Sequence, residues 1–221
     1  MSRISASVTP PSLKADLSGF DRCLYAVSIG GHNKSIEDIL QGYRWAIGHF
    51  GRCGILLGDS LYRFTLQIQR GSNPKLAKQI ARKAGQRTLD QIVSQLTRLP
   101  EVIRSSDILT HARFKEYLEE VNALYDTNRP FRESVQSDAR VFVSRQSSRG
   151  RLALPESEAI DIASAYLVEE VAIYGCLAEE GWLVDVYLGA ELPTLQRFIT
   201  GELSGTSAPL HKRVNVALRI R

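Results

Sequence analysis

Cysteine is scarce in this chain: only Cys23, Cys53 and Cys176 occur among 221 residues. They are isolated from one another, with no C-x-x-C pair and no histidine at ligand spacing. A disulfide framework and a structural zinc site are therefore excluded, and buried packing thiols are expected. No apolar run approaches the roughly 18 residues that would mark a membrane span. The segment Met1 to Gly19 carries Pro10 and Pro11 where a secretory leader would be apolar, so a cytoplasmic protein is expected. No G-x-x-x-x-G-K-[ST] phosphate loop is present, and the G-G-H-N-K-S segment after Ile29 does not supply one. His32, His49, His111 and His211 match no metal or triad spacing, which leaves a Ser-His-Asp hydrolase unsupported. Internal repeats and low-complexity tracts are also missing.

What remains is the composition of one ordinary globular domain, 43% hydrophobic and 24% charged. The formal charge of +4 hides an asymmetry. From Leu61 to Ser105 lie Arg63, Arg70, Lys75, Lys78, Arg82, Lys83, Arg87, Arg98 and Arg104, against only Asp90 and Glu101. Nine basic residues against two acidic ones give this segment +7, which leaves −3 for the rest of the chain. A basic stripe on an otherwise acidic body attracts polyanions locally, so nucleic acid becomes a candidate partner.

Residues 1–20 show little periodicity and read as a flexible N-terminal extension, with the folded domain spanning 21–221. Cys23 to Ile29 is a short apolar run ending in Gly30-Gly31, as a strand and turn require. Ile36, Ile39, Leu40, Tyr43, Ile47 and Phe50 then recur at helical spacing, with Ser35 and Asp38 placed to cap the start and Gly51 marking the stop. A second apolar run, Gly54 to Leu57, completes a βαβ pattern. Pro74 to Leu99 is helical in pattern, with Gly85 as a potential break; Lys75, Lys78 and Arg82 share one face, and Leu76, Ile80 and Ala84 lie on the flank away from them. His111 to Leu124 reads as a helix, and Ala139 to Ser144 suits helix or strand equally. Pro155 opens a strong helix through Tyr174, with Glu156 and Glu158 at its positive end. Trp182 to Leu188 and Val214 to Ile220 read as strands. Together these predict a single α/β domain, a Rossmann-like, mostly parallel sheet flanked by helices.

Three places could carry chemistry. Ser28 ends the first predicted strand with Ala26 before it and Gly30 after it, small neighbours that let an acyl group approach a nucleophile. Ligands of open α/β sheets bind outside the carboxyl ends of the strands. The same residues equally suit a plain strand-to-helix turn. Tyr166 and Glu170, spaced i, i+4, share a helix face near Ile162 and Ile173; they could hold an ammonium group, or be a core tyrosine and a surface glutamate. On this wheel Glu169 turns away, towards solvent or the helix flank. Tyr187 lies near a strand end, where packing tyrosines are also common.

The order of these motifs resembles the tRNA-dependent cyclodipeptide synthases, over roughly Arg22 to Arg221. The similarity is carried by V-S-I-G-G around Ser28, L-G-D-S-L-Y-R-F-T-L from Leu57 to Leu66, the basic helix after it, Y-L-V-E-E from Tyr166 to Glu170, and V-Y-L around Tyr187. The resemblance implies a catalytic domain akin to class I tyrosyl- and tryptophanyl-tRNA synthetases, without ATP chemistry. It implies two aminoacyl-tRNA substrates, the first acylating Ser28 and the second supplying an amino group for a dipeptidyl-enzyme that cyclises to a 2,5-diketopiperazine. Tyr166 and Glu170 would hold the first α-ammonium, and Tyr187 would assist proton transfer. Ala26, Gly30, Gly31 and Arg145 would line the pocket, while Lys75, Lys78, Arg82, Lys83 and Arg87 would meet tRNA phosphates. No metal or other cofactor, no membrane association and a monomeric state are implied. Gly31, where one subset has Asn, and Leu188, where another has Pro, depart from the family pattern, as does Ser144 before Arg145. A non-catalytic RNA-binding domain and a serine-dependent aminoacyl-tRNA deacylase or esterase are the competing readings.

Overall fold

The computed structural model describes residues 4–14, 16–30, 35–190 and 192–220. Its strands are β1 (Ile4–Thr9), β2 (Arg22–Ser28), β3 (Arg52–Gly58), β4 (Val102–Arg104), β5 (Val184–Leu188) and β6 (Val214–Ile220). The helices are α1 (Ile36–Ile47), α2 (Tyr62–Arg70), α3 (Pro74–Val93), α4 (Ser105–Ile108), α5 (Ala112–Thr127), α6 (Arg129–Ser148), α7 (Glu156–Glu179) and α8 (Pro193–Ile199). One sheet holds the strands in the order β1-β6-β5-β2-β3-β4, with every pairing parallel except β1 against β6. From β2 the chain builds outward through β3 and β4, then returns to add β5 and β6 on the other side. The boundary between β2 and β5 is thus a topological switch point, where a crevice opens beyond the strand ends.

Alternation along the strands sorts two cores. Cys23, Tyr25 and Val27 of β2 pack with Ile39, Leu40 and Tyr43 of α1 on one face. Leu24 and Leu56 join α5, α6 and α7 on the other. Every residue of α7 from Leu167 to Ala178 is buried except Glu170, as expected for a helix covered on all sides. Ser35 and Asp38 form the reciprocal N-terminal cap of α1 that their spacing predicts.

Several expectations change. Residues 4–9 are not an extension outside the sheet: β1 pairs along its whole length with β6, and Val8 is buried. Ala139 to Ser144 is helical, inside α6, whose Phe131, Val135, Ala139 and Val143 are buried at four-residue steps. Gly85 does not break α3; a Cβ there would lie 2.5 Å from Cβ of Asp59, so its absence lets the helix pass close to the β3–α2 turn. Leu76 is 46% exposed, and the buried face of α3 is formed by Ala77, Ala81, Gly85 and Ile92 instead. Cys23 and Cys53, distant in sequence, are register partners on β2 and β3, and Cys53 is only half-buried.

Asp59 explains the G-D-S segment. Fully buried at the end of β3, its carboxylate accepts from the backbone N–H groups of Ser60 (2.8 Å) and Ser106 (2.9 Å), the Ser106 hydroxyl (2.9 Å) and Arg104 Nε (2.9 Å). It fixes the start of α4 and the turn before α2. Asp59→Ala strands several buried donors and the half-buried Arg104, and is expected to cost about 4 kcal/mol in denaturant unfolding; a loss below about 1 kcal/mol would contradict this role.

Among the described residues, no helix is long and apolar enough to cross a membrane.

Candidate active site

Alternation also decides what meets at the switch point. On the α7 side, β2 presents Leu24, Ala26 and Ser28, β5 presents Asp185 and Tyr187, and β6 presents Asn215 and Ala217. Small and polar residues at these positions leave room, and a cavity of about 340 Å³ opens between the strand ends, α2, α6 and α7. Its size is within the range of small-molecule sites.

The Ser28 hydroxyl donates to the Tyr187 hydroxyl oxygen at 3.2 Å, across the boundary of β2 and β5. Ser28 is exposed into the cavity. Gly30 follows at φ +76°, and a Cβ there would lie 2.3 Å from Cε2 of Tyr62, so only glycine permits both the turn and the approach of α2. Ala26, Gly30 and Arg145 all line the cavity, Arg145 with an exposed side chain beside Arg149. Gly31 and His32 lie outside the described residues.

Tyr166 and Glu170 line the cavity from α7, as their spacing predicts. Phe64 meets the Tyr166 ring edge-on at 6.0 Å between centroids. Desolvation between the cavity walls is the largest influence on Glu170 and lifts its carboxyl to about 8, against a hydrogen bond from Tyr166 that lowers it. Burial likewise pushes the Tyr166 phenol upward, helped by the neighbouring carboxylate. Glu170 Oε2 has no hydrogen-bond partner among the described residues, so the site presents an unsatisfied acceptor to its ligand.

Glu169 does not face solvent. It is 6% exposed and forms a bidentate pair with Arg63 of α2, Arg63 Nη1 donating to Oε1 at 2.7 Å and Nη2 to Oε2. Because α7 is covered on its other sides as well, a position rotated away from the cavity is still inside. The two adjacent glutamates therefore separate by phenotype. Glu169→Gln is expected to lose about 2–3 kcal/mol of stability by breaking the brace between α2 and α7. Glu170→Gln is expected to suppress activity while raising the melting temperature above neutral pH. The folded carboxyl titrates higher than the unfolded one, so wild-type stability falls as pH rises from the ordinary carboxylate range through about 8, and the amide removes that fall. Melting curves of both variants at pH 5 and pH 9 check this; an unchanged pH dependence in Glu170→Gln would contradict it.

The floor of the cavity holds residues that the motifs do not name. Asp185 lies two positions before Tyr187 on β5, with Tyr174 of α7 and Asn215 of β6 beside it. A single aspartate in the apolar run W-L-V-D-V-Y-L, in phase with Tyr187, was the available signal. No histidine among the described residues lines the cavity. Among the described residues no group of three or more His, Cys, Asp or Glu side chains could hold a metal ion.

Lys75, Lys78, Arg82, Lys83 and Arg87 are all exposed on α3 and make no ion pair with any described residue. Helix α3 packs on α2, which lines the cavity, so the basic face lies one helix from Ser28.

A parallel sheet with a ligand cavity at its switch point, a serine on the first parallel strand and a half-buried tyrosine–glutamate pair facing it defines a Rossmann-like transferase domain. A family model described as cyclodipeptide synthase matches residues 20–175, and the chain belongs to that family. As a member it is an aminoacyltransferase. The fold is similar to that of a synthase from Fluoribacter dumoffii, 23% identical, with a TM-score of 0.79 over 100% of this chain and 99% of that one. It is also similar to a synthase from Candidatus Glomeribacter gigasporarum solved bound to Phe-tRNAPhe, 16% identical, with a TM-score of 0.64 over 96% of this chain and 93% of that one. The wider likeness reaches tyrosyl-tRNA synthetase from Archaeoglobus fulgidus, 14% identical, with a TM-score of 0.52 over 96% of this chain and 58% of that one. No curated protein matches the sequence at a significant level.

Proposed function

We propose that this protein joins the aminoacyl groups of two aminoacyl-tRNAs into a cyclic dipeptide through esters on Ser28. The observation that carries the reading is the Ser28–Tyr187 hydroxyl pair, 3.2 Å apart at the switch point and facing Glu170 across one cavity. Ser28 Oγ attacks the ester carbonyl of the first aminoacyl-tRNA. Its proton passes through the Tyr187 hydroxyl to the departing ribose oxygen, and the aminoacyl group is left on Ser28. Tyr166 and Glu170 hold the α-ammonium of that group.

For the dipeptide to stay on the enzyme, the amine bound to Ser28 must attack the ester of the second aminoacyl-tRNA. Attack by the second amine on the Ser28 ester, the order that the resemblance first suggested, would leave the dipeptide on tRNA. The Ser28-bound ammonium must first lose a proton, for which the Glu170 carboxyl that holds it, its proton affinity raised by burial, is the acceptor at hand; the departing ribose oxygen of the second tRNA takes up the other amine proton. The new terminal amine then attacks the Ser28 ester carbonyl, releasing the diketopiperazine and returning a proton to Ser28 Oγ through Tyr187. No step calls on a metal or a dissociable cofactor. The exposed cations of α3 supply phosphate contacts without reading base sequence, which suits a substrate charged by other enzymes. One chain supplies every group in this scheme, so a monomer in the cytoplasm, where charged tRNA is found, is the working unit.

Expression in a bacterium, followed by mass spectrometry of the medium, tests the reading. Cyclic dipeptides absent from an empty-vector culture are expected. Free amino acid released from charged tRNA without a cyclic product would make the protein a deacylase, and tRNA binding with neither product would make it a binding module.

A further inference from the structure

We infer that the floor of the cavity selects an aminoacyl group whose side chain carries a hydrogen-bond donor, through Asp185. This deepens the function proposed above and rests on it. Asp185 is 4% exposed, lies among apolar strand residues and lines the cavity. Its Oδ2 atom is provided for: the Tyr174 hydroxyl donates at 3.2 Å, Asn215 Nδ2 donates at 3.4 Å, and Arg213 Nη2 lies 4.0 Å away. Arg213, 3% exposed and stacked 3.7 Å from the centroid of the Tyr174 ring, supplies the balancing charge from behind. The Oδ1 atom has no hydrogen-bond partner among the described residues.

A buried carboxylate oxygen without a donor is costly, and its place on a residue that lines a ligand cavity points to a donor brought by the ligand. Among the described residues, two carboxyl oxygens of cavity-lining residues lack partners, Glu170 Oε2 and Asp185 Oδ1. Glu170 is taken by the α-ammonium. Asp185 lies two residues further from the strand end than Tyr187, about 7 Å deeper along β5, which is the reach of a side chain rather than of an α-amino group. The substrate class is therefore an amino acid with a hydroxyl, amide, imidazole, indole or basic side chain. A site built to hydrogen-bond a substrate discriminates strongly against an analogue that lacks the group, because its own buried atom is then left unpaired.

The test compares the cyclic dipeptides made in a bacterial host by the wild-type protein, Asp185→Asn and Asp185→Leu at matched soluble levels. The dominant wild-type product is expected to contain at least one donor-bearing residue. In Asp185→Asn, Asn215 and Arg213 hold the amide oxygen on their side and turn its NH₂ towards the cavity, so an acceptor becomes a donor with little change of shape. The ratio of donor-bearing to wholly apolar products is expected to fall at least about tenfold, and further in Asp185→Leu. If Asp185→Leu does not fold, the wild-type and Asp185→Asn spectra decide the matter. Wild-type products built only from apolar residues would overturn the inference and leave the synthase reading intact. A parallel loss of all products at constant ratio would also overturn it, by assigning Asp185 to the α-ammonium. Absence of any cyclic dipeptide would remove the function proposed above, and this inference with it.

Discussion

Ser28→Ala is expected to lower cyclic dipeptide formation by more than about a thousandfold while leaving the protein folded and able to bind tRNA. The size of the effect follows from covalent catalysis: without Oγ there is no ester to hold the first residue while the second arrives, and two bimolecular encounters cannot be joined. Folding should be indifferent, because Ser28 faces the cavity and, among the described residues, its hydroxyl bonds to Tyr187 alone. Tyr187→Phe is a milder companion, since it keeps the ring and removes the proton path. Product at wild-type rate from Ser28→Ala would mean that the two aminoacyl groups meet without an enzyme ester.

Reversing Lys75, Lys78 and Arg82 to Glu is expected to weaken tRNA binding at least about a hundredfold at low salt, and to reduce the steepness of its salt dependence by two to three in a log–log plot, since about 0.9 counterion is released per phosphate contact. All three side chains are exposed on α3, so the melting temperature should barely move; exposed changes cost within about 0.5 kcal/mol each. Binding titrations at several salt concentrations check both numbers. Unchanged affinity and slope would place the tRNA on another face.

Much of this arrangement is legible in the sequence because it is local. The β2–α1–β3 unit follows from two short apolar runs, a capping box and a helical spacing, all within about 40 residues. The basic face of α3 and the shared face of Tyr166 and Glu170 follow from helix geometry alone. What is not legible is set by distant partners. β1 is a half-exposed edge strand that depends on pairing with β6, more than 200 residues away, as the Ser5 and Ser7 contacts across it illustrate. The placement of Glu169 depends on Arg63, 106 residues earlier, and on cover over the back of α7. The A-R-V-F-V-S segment alternates like a strand over six residues, and only the longer run from Phe131 to Val143 exposes its helical period. Asp185 is visible as an aspartate in an apolar strand, but that its Oδ1 lacks a partner among the described residues depends on where Tyr174, Asn215 and Arg213 converge.

The central claim is that one serine carries both ester intermediates. Rapid quenching of the protein with a pool of aminoacyl-tRNAs labelled in the amino acid, followed by digestion and mass spectrometry, reads it directly. The account predicts an aminoacyl mass on the peptide containing Ser28, an additional dipeptidyl mass when Tyr187→Phe slows cyclisation, and neither in Ser28→Ala. Cyclic dipeptide accumulating while the Ser28 peptide stays unmodified at every quench time, or an ester found on another residue, would contradict it.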